Sequence, residues 1–451
     1  MLHVNGSDHH KYCDGLSRRS FMKVGALSAA GLTLSDFLRV KAQATATNPN
    51  SQSTRDTAVI LIWLDGGPTH MDTYDIKTEA PSEYRGPVSV TQTNVPGIQI
   101  CDLMPRQARQ MDRLSIVRSM HHSTGDHFAG AHWMLTGYHG SNAARREPQY
   151  PSIGAVTARL RGANQEGLPP YVSVPYASTV GIRPGYLSGA YLGTSYNPFQ
   201  VNSDPNRPNF TVQNLGLPGG VTVEQLENRR NLLSTFDTMS RDLDQSGTIG
   251  TMDHFQQEAF EMITGPRARD AFNIAAEDPR TRDRYGRHNW GQSTLLARRL
   301  VESGVTFVSI HMGGWDNHSN IEQAMQRSLP VYDRAIGSLM EDLVDRGMYD
   351  RVAVCVCGEF GRTPRVNGNA GRDHWGRSGF CILGGGGIRG GQVIGATNIK
   401  GEHPVEQPVG PADMLATLYH ILGIDTSRTF TDNSGRPHQI VRDGRPIAGL
   451  V

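Results

Sequence analysis

The sequence predicts an α/β protein with three layers, α/β/α, around a mainly parallel central sheet. Three observations predict it. Apolar runs too short for helices, such as AVILIWLD at 58–65 and VAVCVC at 352–357, end in glycine and read as strands buried on both faces. From about residue 292 onward, such runs alternate with longer helix-like segments, which is the pattern of a parallel sheet with helices on both sides. The length, 451 residues, suits one large domain with insertions or two domains. With 44 Lys+Arg against 43 Asp+Glu and no long charged run, nucleic acid is not an expected partner.

In chain order, residues 1–44 read as a twin-arginine export signal. SRRSFMK at 17–23 precedes the small, apolar stretch VGALSAAGLTLSDFL, and AQA at 42–44 supplies a small-x-small cleavage site. The apolar stretch is interrupted by Asp36 and is too short for a permanent membrane span. The expected location is therefore periplasmic or extracellular, with the twin-arginine export machinery as a partner. Residues 45–57 form a polar linker, and 58–450 the folded domain. Strands follow at 58–65, 114–120 and 171–175, with a short helix at 127–137 stopped by Gly137. From about 180 to 290 Gly, Pro and Asn loosen the pattern, and helical stretches around 222–243, 252–263 and 267–276 read as an insertion. Regular alternation then resumes: helix 292–303, strand 305–311, helix 321–346, strands 351–357 and 379–383, and helix 411–422. Cys355 and Cys357 alternate with valines and read as core packing. The glycine-rich stretch at 383–397 lacks the Lys-Ser/Thr of a phosphate loop and reads as a strand connection.

The chemistry gathers at strand ends. The first strand ends at Asp65, the strand at 305–311 runs into Asp316 and His318, and VAVCVC runs into Glu359. In a parallel sheet the carboxyl ends share one edge, where ligands bind, so these side chains converge. GRDHWG at 371–376 adds Asp373 and His374. Carboxylates with imidazoles suit one or two divalent ions of the Zn²⁺, Mn²⁺ or Fe kind, and two ions about 4 Å apart would clamp a phosphoryl-type displacement. Each residue alone has a plainer reading. Asp65 before Gly-Gly suits a turn, Asp316 and His318 suit an ordinary loop, and Glu359 suits a pair with Arg362. Residues 121–139 carry five histidines. His127 opens the helix, and His132, five residues on, does not share its face.

The segments IWLDGGPTHMDTYD, HWMLTGYH, GGWDNH, GEFGRTPRVNGNAGRDHWG and PADMLATLYHILGID together resemble the DUF1501 family, an exported group related to sulfatases in the alkaline-phosphatase-like superfamily. The resemblance covers most of residues 55–450. It implies an alkaline-phosphatase-like fold, with Asp65, Asp316, His318, Glu359 and His374 as metal ligands. The superfamily's Asp-His pair stands here as Glu359-Phe360. The nucleophile position falls on His127, with Ala131 where an Arg is customary and the hydroxyls of Ser123 and Thr124 nearby. The implied activity is metal-dependent hydrolysis of a phosphate or sulfate ester in a small molecule or polysaccharide. His127 or a metal-activated water attacks, and Arg362 steadies the anion. The rival is a non-catalytic envelope or binding protein that keeps the fold and a structural metal.

Overall fold

The computed structural model describes residues 56–212 and 259–451, together with positions 215, 224, 225, 227, 228 and 257. The export signal, nearly all of the linker and most of the helical stretches expected between 222 and 256 lie outside the described residues. Of the expected insertion, short helices at Pro266–Phe272 and Pro279–Tyr285 are present.

Eight strands form the central sheet: β1 (Ala58–Asp65), β2 (Leu114–Met120), β3 (Tyr171–Val174), β4 (Phe199–Gln200), β5 (Phe307–Gly313), β6 (Val352–Cys357), β7 (Gly379–Gly384) and β8 (Val393–Ile394). Their spatial order is β8-β2-β7-β6-β1-β5-β3-β4. Only β7 runs against its neighbours, β2 and β6; the other pairings are parallel. β1 lies at the centre, with Trp63 opposite His311 of β5 and Cys357 of β6.

Strand periodicity divides the core. Ile60, Ile62 and Leu64 of β1 face one apolar cluster, whereas Val59, Leu61 and Trp63 face the other. Helices α3 (Asn289–Ser303) and α4 (Ile321–Asp345) cover the first side through residues such as Leu296, Leu300, Leu329 and Leu339. Helices α1 (His127–Thr136), α2 (Ile153–Arg161) and α5 (Pro411–Ile421) cover the second through Leu135, Val156 and Leu418. The three layers are those the alternation predicts. Each fully buried Leu or Ile contributes about 1.5–3 kcal/mol, which fastens helices to both faces. Cys101, Cys355, Cys357 and Cys381 are free and buried, as core packing requires.

Beside α3 and α4 lies a charge network. Arg298, fully buried, pairs with Glu277 (2.7 Å), Asp342 (2.8 Å) and Glu302. Arg284, Arg299 and Arg346 complete it, binding Asp342 (2.7 Å), Glu277 (2.8 Å) and Glu302 (3.0 Å) respectively. Among the described residues, no helix is long and apolar enough to cross a membrane.

Candidate metal centre

The carboxyl ends of β1, β5 and β6 lie side by side, because these three strands are parallel neighbours. Gly66, directly after β1, has φ +117°, and a Cβ there would sit 2.5 Å from the Asp316 nitrogen. Glycine thus lets the turn lie against the loop that carries Asp316. That loop is knitted to segment 367–373 by backbone hydrogen bonds from Asn320 to Asn369 (3.1 Å), Ile321 to Ala370 (2.8 Å) and Arg372 to Asn317 (3.1 Å). Arg372 is fully buried and holds the segment from beneath. It binds the buried Asp72 carboxylate at 2.7 Å and donates to the carbonyls of Thr363, Pro364 and Tyr84. His374 is thereby delivered beside Asp316. From the other side, Asp126 caps α1 by accepting from the Ala129 nitrogen (2.9 Å), and His127 is the first residue of the helix.

Three imidazoles converge on Asp316. The Nε2 atoms of His127, His374 and His318 stand 3.4, 3.2 and 3.0 Å from its carboxylate oxygens. The opposite nitrogen of each ring is anchored by an acceptor. His127 Nδ1 donates to Glu359 Oε1 (2.6 Å), His374 Nδ1 to the Gly125 carbonyl (2.9 Å) and His318 Nδ1 to Asp373 Oδ1 (2.7 Å). An acceptor that fixes Nδ1–H is the arrangement that orients metal-ligating histidines, whose Nε2 offers a lone pair once its own proton is displaced. One ligand atom each from His127, Asp316 and His374 lie within 4.8 Å of one another, and this is the one such group of three among the described residues. Phe360 closes the wall, its ring centroid 4.9 Å from those of His127 and His374.

The electrostatics are lopsided. Burial opposes ionisation of Asp316, yet hydrogen bonds from His127, His374 and Arg362 hold its carboxyl far below the ordinary range. Burial also works against a charged His127, but Asp316 and Glu359 outweigh it and push the ring up to about 9. Burial pushes Glu359 up, although the hydrogen bond from His127 opposes the shift. Its second oxygen, Oε2, is buried without a partner. Asp373 is held low, chiefly by its hydrogen bond from His318.

The structure gives several predicted residues roles other than those expected. Asp65 lies outside the group of three. Its oxygens accept from Trp63 Nε1 (2.9 Å) and the Val180 nitrogen (2.8 Å) and face His311 Nε2 (3.1 Å). Val180 holds φ +53°, a costly conformation for a β-branched residue. Glu359 touches His127 and the Gly66 nitrogen (2.9 Å) rather than the open side of the site. Arg362, expected to steady an anion, is buried. Its guanidinium is spent on the Gly66, Gly67 and Arg372 carbonyls and on Asp316 (2.5 Å), so it braces Asp316 instead of facing solvent. His132, as its spacing implies, turns away and binds the Tyr138 carbonyl (2.8 Å). Sequence reasoning missed His311 as the partner of Asp65, and Arg372 with Asp72. The imidazole in HMGG, next to a strand end, was the available signal for the first; a buried ion pair far apart in sequence leaves none.

Residues 56–451 match the family described as "Protein of unknown function (DUF1501)". The chain belongs to DUF1501. No curated protein matches this DUF1501 chain. Solved structures similar to it include the lipoteichoic acid synthase LtaP from Listeria monocytogenes, with 10% identity, TM-score 0.42, and 87% of this chain and 76% of that one covered. A putative sulfatase from Bacteroides thetaiotaomicron gives 10% identity, TM-score 0.39, and coverage of 87% and 74%. The phosphonate monoester hydrolase SpPMH from Silicibacter pomeroyi gives 12%, 0.37, and 87% and 76%.

Proposed function

We propose that this DUF1501 protein is an exported, metal-dependent hydrolase of phosphate or sulfate esters with an alkaline-phosphatase-like fold. One observation carries the reading: three rings with anchored Nδ1 atoms turn their Nε2 atoms toward a single carboxylate at the carboxyl edge of the sheet. The donor set fits a divalent ion of the Zn²⁺, Mn²⁺ or Fe kind, since two imidazoles and a carboxylate leave a coordination position open. His127, Asp316 and His374 would hold the ion, with His318 and Asp373 beside it. When bound, such an ion polarises an ester oxygen and makes a nucleophile of water near neutral pH. The protein's own contribution is positional. Arg362 and Arg372 fix the loops that carry Asp316 and His374, and Phe360 excludes water from one side.

The imbalance of charge supports the same reading. Asp65, Asp316, Glu359 and Asp373 crowd the edge, and Arg362 is the one guanidinium bonded to any of them among the described contacts. A cation would complete the balance. The test is turnover by the mature, metal-loaded protein of aryl phosphate, phosphonate and sulfate esters. Activity that disappears on chelation, and falls at least about 100-fold in Asp316→Ala, is expected for removal of a group on which the charge chemistry depends. Full metal occupancy without turnover of any such ester would instead support the rival, a non-catalytic binding protein. One observation favours that rival: none of the described hydrogen bonds to His127, Asp316 or His374 comes from a hydroxyl or thiol. Export rests on SRRSFMK and AQA, so replacing Arg18 and Arg19 by lysine should retain the protein in the cytoplasm.

A further inference from the structure

We infer that the centre takes one cation rather than two, and that Glu359 acts through His127 as a positioning residue instead of ligating a second ion. This rests on the reading that the site binds a divalent metal, and goes beyond it by fixing the number of ions and the task of each carboxylate.

A second ion would have to be built on Asp65 and Glu359, the acidic side chains at the ends of β1 and β6. Neither is free to take it. Asp65 Oδ1 already accepts two hydrogen bonds, from the Trp63 indole and the Val180 amide, and Oδ2 stands 3.1 Å from His311 Nε2. Glu359 Oε1 accepts from His127 Nδ1 and from the Gly66 amide. Its Oε2 remains without a partner, but a single buried oxygen does not make a site, and no second set of three ligating side chains lies within reach among the described residues. Phe360, the residue after Glu359, offers no donor atom and packs its apolar ring 4.9 Å from those of His127 and His374. Most directly, the His127 ring fills the space between Glu359 and Asp316, with Nδ1 on the one (2.6 Å) and Nε2 facing the other (3.4 Å).

The same contacts assign Glu359 its task. A carboxylate that holds Nδ1–H of a ligating histidine fixes the ring and raises the basicity of Nε2, and losing such a partner costs about 10- to 100-fold in metal affinity. Asp65, by contrast, is engaged with His311 and is not a ligand of the ion.

The experiment is calorimetric titration of the chelator-stripped mature protein with Zn²⁺, Mn²⁺ and Co²⁺ separately, with elemental analysis of the saturated product and the visible spectrum of the Co²⁺ form. The expected stoichiometry is one ion per chain. Glu359→Gln should bind about 10- to 100-fold more weakly with the stoichiometry unchanged and a shifted Co²⁺ spectrum, which reports the His127 ligand field and not stability. Asp65→Asn should keep both the stoichiometry and the spectrum. Two ions per chain in the unaltered protein would overturn the inference while leaving the metal-dependent reading intact. So would a Glu359→Gln variant with unchanged affinity and spectrum, or an Asp65→Asn variant that loses an ion. No binding of any of the three metals would overturn both the inference and the proposed function.

Discussion

Two clusters of charge in this molecule are built from similar numbers of groups and are balanced in opposite ways. Beside α3 and α4, Glu277, Glu302, Asp342 and Asp345 meet Arg284, Arg298, Arg299 and Arg346, so each carboxylate has a guanidinium. At the carboxyl edge of the sheet, Asp65, Asp316, Glu359 and Asp373 meet imidazoles and the single guanidinium of Arg362. The first cluster is complete as it stands and serves stability. The second has one guanidinium for four carboxylates, a deficit that the cation proposed above would offset. The difference is one of composition: Arg is always charged and holds carboxylates permanently, whereas His offers a lone pair.

Breaking the balanced cluster should have the largest effect. Arg298→Ala removes the one fully buried guanidinium from Glu277, Asp342 and Glu302, which keep only their part-exposed arginines, and should cost about 3 kcal/mol in urea unfolding, with metal affinity unchanged. A loss below about 1 kcal/mol would mean that the pairs are not load-carrying, since exposed pairs are worth no more than that. Acid provides the next test, because α1 carries two histidines with opposite shifts. Burial pushes His132 down from 6.5 to about 4, while the carboxylates beside His127 push that ring up to about 9. The depressed His132 contributes stability that is fully present above pH 6.5 and is lost as pH falls through about 4, about 3 kcal/mol in all. The raised His127 acts the other way in the metal-free protein, its contribution present below pH 6.5 and lost as pH rises through about 9. His132→Gln should therefore flatten the acid limb of a stability-against-pH curve measured from pH 7 to 4.5; an unchanged slope would contradict the assignment.

Gly66→Ala comes next in size. The added methyl meets the Asp316 nitrogen at a residue with positive φ, and a loss of about 1–3 kcal/mol together with weaker metal binding is expected. The smallest effect belongs to Asp373→Asn. Asp373 is half exposed and sits in the under-compensated cluster, so the metal-free protein should change by no more than about 0.5 kcal/mol. A markedly destabilised Asp373→Asn would place Asp373 with the balanced, structural kind.

Much of the architecture was legible. AVILIWLD, LSIVRSM and VAVCVC are strands because their apolar side chains supply both faces of a buried sheet, and Gly137 does end the helix that His127 opens, in a left-handed cap. The shared edge followed from parallel strands, and it brought Asp316, His318 and His374 together as expected. What the pattern did not carry was lateral order. Periodicity says that a residue faces a core, not which strand lies beside it, so the reversed β7 was not foreseen. The pairing of His311 with Asp65 depends on β5 lying beside β1, and was missed for the same reason. Arg362 was misread because an arginine near acidic residues looks identical in sequence whether its guanidinium faces solvent or is enclosed by carbonyls. Glu359 shows the finer limit: its position at the edge was legible, but its engagement by His127 depends on how a helix from a distant segment docks.

The most direct test of the central claim is the thermal unfolding of chelator-stripped mature protein with and without added Zn²⁺ or Mn²⁺, beside the Asp316→Ala variant. At free metal about 100 times its dissociation constant, binding adds about 2.7 kcal/mol to stability, so the unaltered protein should melt higher and the variant should not respond. No shift in the unaltered protein with any divalent ion, or an equal shift in the variant, would contradict the account.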